Sequence, residues 1–382
     1  MKRNSFGRSV LMAVSATAVA GMALTACGSD NNAGTSSSSA ASGSESGSAS
    51  ASGAAADCGG KNSLTAEGST AQQNAVALFN QVWGQACPGK NLSYNPTGSG
   101  AGREQFIAKT VDFAGSDSAL SKEQIDQAAA RCGGNPAWNL PLVFGPIAMA
   151  YNIDGVDKLV VNGDVLAKIF QGQITNWNDP AIAALNSGTT LPDSKITPIF
   201  RSDSSGTTDN FQKYLGAAAP DSWTKEAGSE FQGGAGEGAQ KSAGVVQAVQ
   251  ATPGAIGYVE KGFATQAGLK MAQIDSGAGA VELTDEAAGK AIDAAKFAAE
   301  GNDLALDLNS LYGTKEAGAY PLVLATYEIV CSKGYDADTA AAVKSFLTVS
   351  ADQGQAGLSS AGYIPLPDAF KERLQTSIDA IS

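Results

Sequence analysis

Asn62-Ser63-Leu64-Thr65-Ala66-Glu67-Gly68-Ser69-Thr70-Ala71-Gln72-Gln73-Asn74-Ala75-Val76-Ala77-Leu78-Phe79-Asn80-Gln81-Val82-Trp83 is the stretch on which the fold class turns. Residues 62–66 read as a strand, and Gly68-Ser69-Thr70 follows as a turn of small residues. Beyond Ala71 the apolar side chains of Ala75, Leu78, Phe79, Val82 and Trp83 recur at helical spacing. The same order of strand, turn and helix repeats in residues 92–94, then Thr97-Gly98-Ser99-Gly100-Ala101-Gly102, then a helix expected over 103–110. It repeats again where Val111-Asp112-Phe113 leads into Gly115-Ser116-Asp117, with Ser121 and Gln124 spaced as a capping box for the next helix. Such alternation predicts α/β architecture. Each of the three turns places hydroxyl or acidic side chains just past a strand, where open α/β sheets bind ligands.

Outward from these repeats, residues 140–151 form an apolar run punctuated by Pro141, Gly145 and Pro146, which reads as a strand crossing between two lobes. A second lobe follows, with a helix over 165–170 and strands over 196–200 and 255–259. The apolar run 321–330 carries the chain back. Roughly 325 residues exceed what one core usually supports, so two lobes are expected. The first lobe is assigned to residues 58–143 and 320–382, and the second to 144–319.

The N-terminus reads as an export signal over residues 1–26, with Lys2, Arg3 and Arg8 ahead of an apolar stretch too short to span a bilayer. Leu24-Thr25-Ala26-Cys27 resembles a bacterial lipobox, which implies lipidation of Cys27, with palmitate, and attachment to the outer face of the cell membrane; an ordinary secretory signal with a chance cysteine is the plain alternative. Residues 27–57 are almost entirely Ser, Ala, Gly and Asn and cannot bury enough area to offset ordering, so they read as a tether. Without residues 1–26 the chain carries 22 basic and 37 acidic residues, a net charge of −15, which disfavours nucleic acid as a partner.

Setting Cys27 aside, Cys58, Cys87, Cys132 and Cys331 are an even set in an exported chain, as expected for two disulfides. Of the three pairings, Cys58 with Cys87 and Cys132 with Cys331 is preferred because the first two bracket one strand–helix unit. None has the close spacing of a zinc site, and the chain contains no histidine. A Ser-His-Asp triad, a Cys-His pair and an imidazole metal site are all excluded. No metal, cofactor or catalysis is expected.

Two segments carry the chemistry. In Ile199-Phe200-Arg201-Ser202-Asp203-Ser204-Ser205-Gly206-Thr207-Thr208-Asp209-Asn210-Phe211 a strand delivers an arginine and a Ser-Gly-Thr turn opens an amphipathic helix. First-turn N–H groups lack intrahelical partners and sit at the positive end of the dipole, so hydroxyls there complete an oxyanion cradle. Arg201 adds a planar fork matched to two oxygens, which Asp203 is placed to brace. Ser205 reads equally as a plain helix cap. A P-loop is excluded, because the Gly-Lys-Ser/Thr ending is missing. Asp117 would repel a fully deprotonated anion, yet an ionised carboxylate accepts a hydrogen bond from phosphate, which keeps a proton near neutral pH. Sulfate has none to offer. As a lone aspartate, Asp117 also reads as a solvated turn residue.

Gly98-Ser99-Gly100, the run 111–117, Ile169-Phe170-Gln171-Gly172-Gln173-Ile174-Thr175-Asn176-Trp177-Asn178-Asp179-Pro180, the run 201–207 and Pro253-Gly254-Ala255-Ile256-Gly257-Tyr258-Val259-Glu260 occur in the order seen in the phosphate-binding proteins of bacterial ABC importers. From about Leu64 to the C-terminus the chain resembles that family. The resemblance implies a type II periplasmic-binding-protein fold, two lobes with a hinge and a central cleft that closes over inorganic phosphate. It implies phosphate contacts from Thr70, the backbone of Ala71, Ser99, Asp117, Arg201, Ser205, Gly206 and Thr207. The chain departs from it at Ala71, where members often carry an aromatic residue. Trp177 is read as packing, since phosphate has no π-face.

The expected protein is a monomeric, lipid-anchored carrier on the extracytoplasmic face, with phosphate and the permease subunits of an ABC transporter as partners. An exported phosphatase-like hydrolase is the rival enzyme reading, for which Asp117 or Ser205 lacks a visible base or metal cluster. An adhesin or signalling receptor on the same fold is a second rival. Within the fold, Asp117 argues against sulfate and molybdate but gives no reason to reject arsenate.

Overall fold

The computed structural model describes residues 57–298 and 300–382. The expected signal, Cys27 and the tether up to residue 56 lie outside the described residues.

The three opening repeats are β1 (Ser63–Gly68) with α1 (Gln73–Ala86), β2 (Asn91–Asn95) with α2 (Ser99–Ile107), and β3 (Phe113–Ser116) with α3 (Lys122–Arg131). β1 pairs in parallel with both β2 and β3. α1 buries Ala75, Phe79 and Trp83 of the expected stripe together with Val76, while Leu78 and Val82 are half-buried against the core. Ser121 caps α3, and Gln124 returns the bond, completing the capping box. α2 starts at Ser99 rather than Arg103, so Gly100 and Gly102 lie inside a helix, where glycine costs about 1 kcal/mol relative to alanine. Close packing requires it: a Cβ on Gly102 would lie 2.5 Å from the Cα of Gly68.

β4 (Ala137–Asn152) is a strand of 16 residues, buried from Asn139 to Tyr151. After it come β5 (Val160–Val161), α4 (Gly163–Phe170), α5 (Pro180–Leu185), β6 (Thr197–Arg201), α6 (Gly206–Ala218), β7 (Glu237–Ala239), α7 (Lys241–Ala251) and β8 (Ala255–Glu260). Smaller elements follow: α8 (Lys261–Gln266), β9 (Lys270–Met271), β10 (Gln273–Asp275), β11 (Ala280–Val281), α9 (Asp285–Asp293), β12 (Lys296–Phe297), β13 (Leu306–Asp307) and α10 (Asn309–Tyr312). The chain then returns along β14 (Val323–Cys331) and ends with α11 (Ala337–Ala351) and α12 (Asp368–Asp379).

The main sheet runs β2-β1-β3-β14-β4-β8-β6-β7. β4 changes partner along its length: Ala137 to Pro146 face β14, and Ile147 to Asn152 face β8. Pro146, which has no N–H to give, falls at that handover. β4 and β14 thus join a β1–β3 half to a β6–β8 half, the expected two-lobed α/β arrangement with strands crossing between.

Trp83 of α1 meets Phe346 of α11 edge-on at 5.4 Å, and Phe346 lies at 5.5 Å from Phe113 of β3. In the other half Phe211 of α6 stacks on Tyr258 of β8 at 4.5 Å and touches Phe170 of α4 at 4.9 Å. Trp177 is fully buried and its Nε1–H donates to the carbonyl of Gly254 at 3.0 Å, so it secures the turn before β8. Disulfides join Cys58 to Cys87 and Cys132 to Cys331.

Candidate functional site

Asp117, one residue past β3, is buried, with 2% of its surface exposed. Three hydroxyls donate to its carboxylate: Ser69 Oγ at 2.6 Å and Thr326 Oγ1 at 2.7 Å to Oδ1, and Ser99 Oγ at 3.0 Å to Oδ2. Its backbone N–H donates to Ser99 Oγ at 3.1 Å, and its carbonyl accepts from Asn210 Nδ2 at 2.7 Å. Burial pushes the carboxyl up to about pKa 6, opposed by the three hydroxyls and reinforced by the charge of Glu260. Asp117 is therefore mainly ionised at neutral pH, and able to accept a hydrogen bond from a proton-bearing ligand atom.

From the other half, Arg201 ends β6 and is 3% exposed. Its Nε donates to Asp203 Oδ1 at 2.8 Å and its Nη2 to Oδ2 at 2.5 Å, the bracing expected from the sequence. Burial works against both charges, but their mutual pairing outweighs it, raising the guanidinium and lowering the Asp203 carboxyl. Lys241 N–H also donates to Asp203 Oδ1, at 2.8 Å.

Ser205 caps α6 by accepting the N–H of Thr208 at 3.3 Å, so the plain cap reading is correct as far as it goes. The cap does not exhaust the helix start, because first-turn N–H groups have no intrahelical acceptor. This positive end lies directly beside Asp117 and Ser99. A Cβ on Gly206 would fall 2.5 Å from Asp117 Cβ and 2.7 Å from Ser99 Oγ, so only glycine permits the approach. Further bonds stitch the turns of the two halves together. Gly100 N–H donates to Ser204 O at 3.2 Å, Arg103 Nη2 to Ser229 Oγ at 3.0 Å, and Ser118 Oγ to Asp209 Oδ2 at 2.5 Å.

The residues singled out from the sequence fall into one cluster. Thr70 Oγ1 pairs with Ser242 Oγ at 2.8 Å, Ala71 N–H donates to Ser69 Oγ at 3.0 Å, and Thr207 Oγ1 donates to Glu260 Oε1 at 2.6 Å. The sequence reading omitted Thr326, Ser242, Asn210 and Glu260 from the site. Asn210 sits in the first turns of α6 and was within reach of a helical-wheel argument, whereas Thr326 and Ser242 are brought in by long-range packing alone. Among the described residues no three His, Cys, Asp or Glu side chains gather as a metal site. The cluster sets helix-start N–H groups and hydroxyls around the Asp117 carboxylate, with Glu260 and the buried Arg201–Asp203 pair in the same cluster, chemistry suited to holding a small oxyanion that retains a proton.

Residues 34–353 match the model of the PBP superfamily domain. The chain is 50% identical over 384 residues to the phosphate-binding protein PstS 3 of Mycobacterium tuberculosis (strain ATCC 25618 / H37Rv), with 100% of each covered. It is 50% identical over 374 residues to PstS 2 of the same organism, covering 97% of this chain and 98% of that relative. A solved phosphate-binding protein from Stenotrophomonas maltophilia shares the fold, with a TM-score of 0.63 at 19% identity over 83% of this chain and 94% of the other. The likeness runs the full length of the chain and so spans the segments that build the cluster around Asp117; the chain belongs to the phosphate-binding protein family, PstS type, of the PBP superfamily.

Proposed function

We propose that this protein captures inorganic phosphate outside the cytoplasm and delivers it to an ABC importer, acting as a binding protein and not as an enzyme. The observation that carries the reading is the pairing of a buried, mainly ionised Asp117 with the positive start of α6. Donors alone would accept any tetrahedral oxyanion. The Asp117 carboxylate among them favours one that brings a proton. The relatives at 50% identity are themselves called phosphate-binding proteins.

In this reading Thr70, the backbone of Ala71, Ser99 and Asp117 contact phosphate from one lobe, and Arg201, Ser205, Gly206 and Thr207 from the other. Residues 58–143 with 320–382 form the first lobe and 144–319 the second, hinged at β4 and β14. Hydrogen bonds contributed by both lobes offset the cost of closure, and the closed form docks on permease subunits. Lipidation of Cys27 and the tether over 27–57 keep the carrier at the membrane beside its importer.

Calorimetric titration of the wild type and Asp117→Asn with phosphate and sulfate tests the assignment. Wild type should bind phosphate and reject sulfate, whereas Asp117→Asn should bind phosphate more weakly and discriminate less. Equal binding of sulfate and phosphate by the wild type would refute the role given to Asp117.

A further inference from the structure

Glu328 is a buried acid that the anion cluster does not use. It sits in the middle of β14, opposite Gly115 of β3 and Leu140 of β4, and is 0% exposed. Neither of its carboxyl oxygens has a well-formed hydrogen bond among the described residues, and neither does the neighbouring Gln72 Oε1. An ionised carboxylate left so would face the full desolvation penalty of an unpaired charge.

The space around Glu328 is polar and connected to the site. Gly115 leaves room for two side chains, since a Cβ there would lie 2.0 Å from Gln72 Nε2 and 2.7 Å from Tyr94 Oη. Tyr94 O–H donates to the carbonyl of Ser69 at 2.7 Å, which commits its one hydrogen. It must then accept from Gln72, whose Nε2 is 3.3 Å away, and this fixes which end of the amide faces Tyr94. Ser69, held by that bond, is the residue that donates to Asp117 and accepts from Ala71 N–H. A relay thus runs from Glu328 through Gln72 and Tyr94 to the turn at the anion cluster. It holds more acceptors than donors, and a proton on Glu328 supplies the missing donor.

We propose that Glu328 is kept as a neutral acid in the folded protein and, through Gln72 and Tyr94, positions the Ser69–Ala71 turn for the bound anion. The titratable groups that bear on this relay are Asp117 beyond β3, Tyr94 on β2 and Tyr363 near the C-terminus; none is a cation, so nothing opposite in charge favours ionising Glu328. Burial, first, and the charge of Asp117 lift its carboxyl to about pKa 8, against the contact with Gln72. The proton is lost as pH rises through that value, and a further carboxylate then faces Asp117 and the anion.

The proposal rests on phosphate being the ligand, and two readouts separate the two ideas. Infrared difference spectra of the full chain, taken from pH 6 to 10 without phosphate, should show a protonated-carboxyl C=O band at neutral pH that fades around pH 8 and is missing in Glu328→Gln. Calorimetry with inorganic phosphate at pH 7, 8 and 9 should give similar affinity for wild type and Glu328→Gln at pH 7. The wild type should then weaken relative to the variant, by at most about tenfold per pH unit, the limit for one coupled proton. Because the variant has the same phosphate ionisation, the ratio isolates Glu328. Phosphate binding without the wild-type band, or with a ratio constant from pH 7 to 9, overturns the role of Glu328 alone. No phosphate binding at any pH overturns both that role and the phosphate reading. The wild-type band needs no variant, so misfolding of Glu328→Gln would not shelter the proposal.

Discussion

Replacing Asp117 by Asn should stabilise the protein without phosphate while weakening its grip on phosphate. The magnitude follows from burial. Asp117 titrates at about 6 in the folded chain against 3.8 for an unperturbed aspartate, a rise of about two units. At about 1.4 kcal/mol per unit, this is on the order of 3 kcal/mol. The sign is destabilising at neutral pH. Between pH 4 and 6 the native state binds more protons than the unfolded chain, so stability falls as pH rises and stays at its lower level above pH 6. The amide of the Asp117→Asn variant does not titrate, and the hydroxyls of Ser69, Ser99 and Thr326 can rotate to serve it. Denaturant unfolding without phosphate at pH 4, 5, 6 and 7.5 should therefore show wild type losing stability relative to Asp117→Asn, up to about 3 kcal/mol by pH 7.5. Phosphate affinity should fall by roughly ten- to a hundredfold, the weight of a hydrogen bond to a charged group. A constant stability difference across pH 4 to 7.5 would show that Asp117 is not held against its desolvation, and the reasoning would fail.

Gly206→Ala should cost roughly ten- to a hundredfold in phosphate affinity by isothermal titration, because its Cβ must displace Asp117 or the start of α6. Arg201→Lys keeps the charge but loses the forked bond to Asp203 and should lower stability by about 2 kcal/mol or more in urea unfolding. Opening Cys132–Cys331, which closes a loop of 199 residues, should cost about 5 kcal/mol, against about 3.5 kcal/mol for Cys58–Cys87 with its separation of 29. Unfolding of the two double Cys→Ala variants checks the order, and a larger loss from the shorter loop would contradict it.

Amino-acid order alone carries the α/β repeats, because strand and helix spacing are local patterns: of the displayed stripe α1 buries Ala75, Phe79 and Trp83 and half-buries Leu78 and Val82. It also exposes Arg201, the Ser205-Gly206-Thr207 helix start and Asp117, since caps and post-strand turns leave marks over a few residues. It misplaces the start of α2 and leaves α11 and α12 unassigned. In α2 the glycines that argue against a helix are required by the contact with Gly68. α11 is so thoroughly buried that its apolar positions show little one-sided pattern.

Which acids are charged and which hydroxyls serve Asp117 became visible only in the packed molecule. Thr326 lies 209 positions from Asp117, and Ser242 lies 172 from Thr70. No local pattern encodes such pairs, because they depend on β14 returning beside β3 and on two helix starts meeting. Glu328 is the plainest case: in the sequence it is one glutamate in an apolar run, and its isolation between two strands sets its proton affinity. Chain order fixes hydrogen-bonding capacity, but desolvation is a property of the packed surroundings.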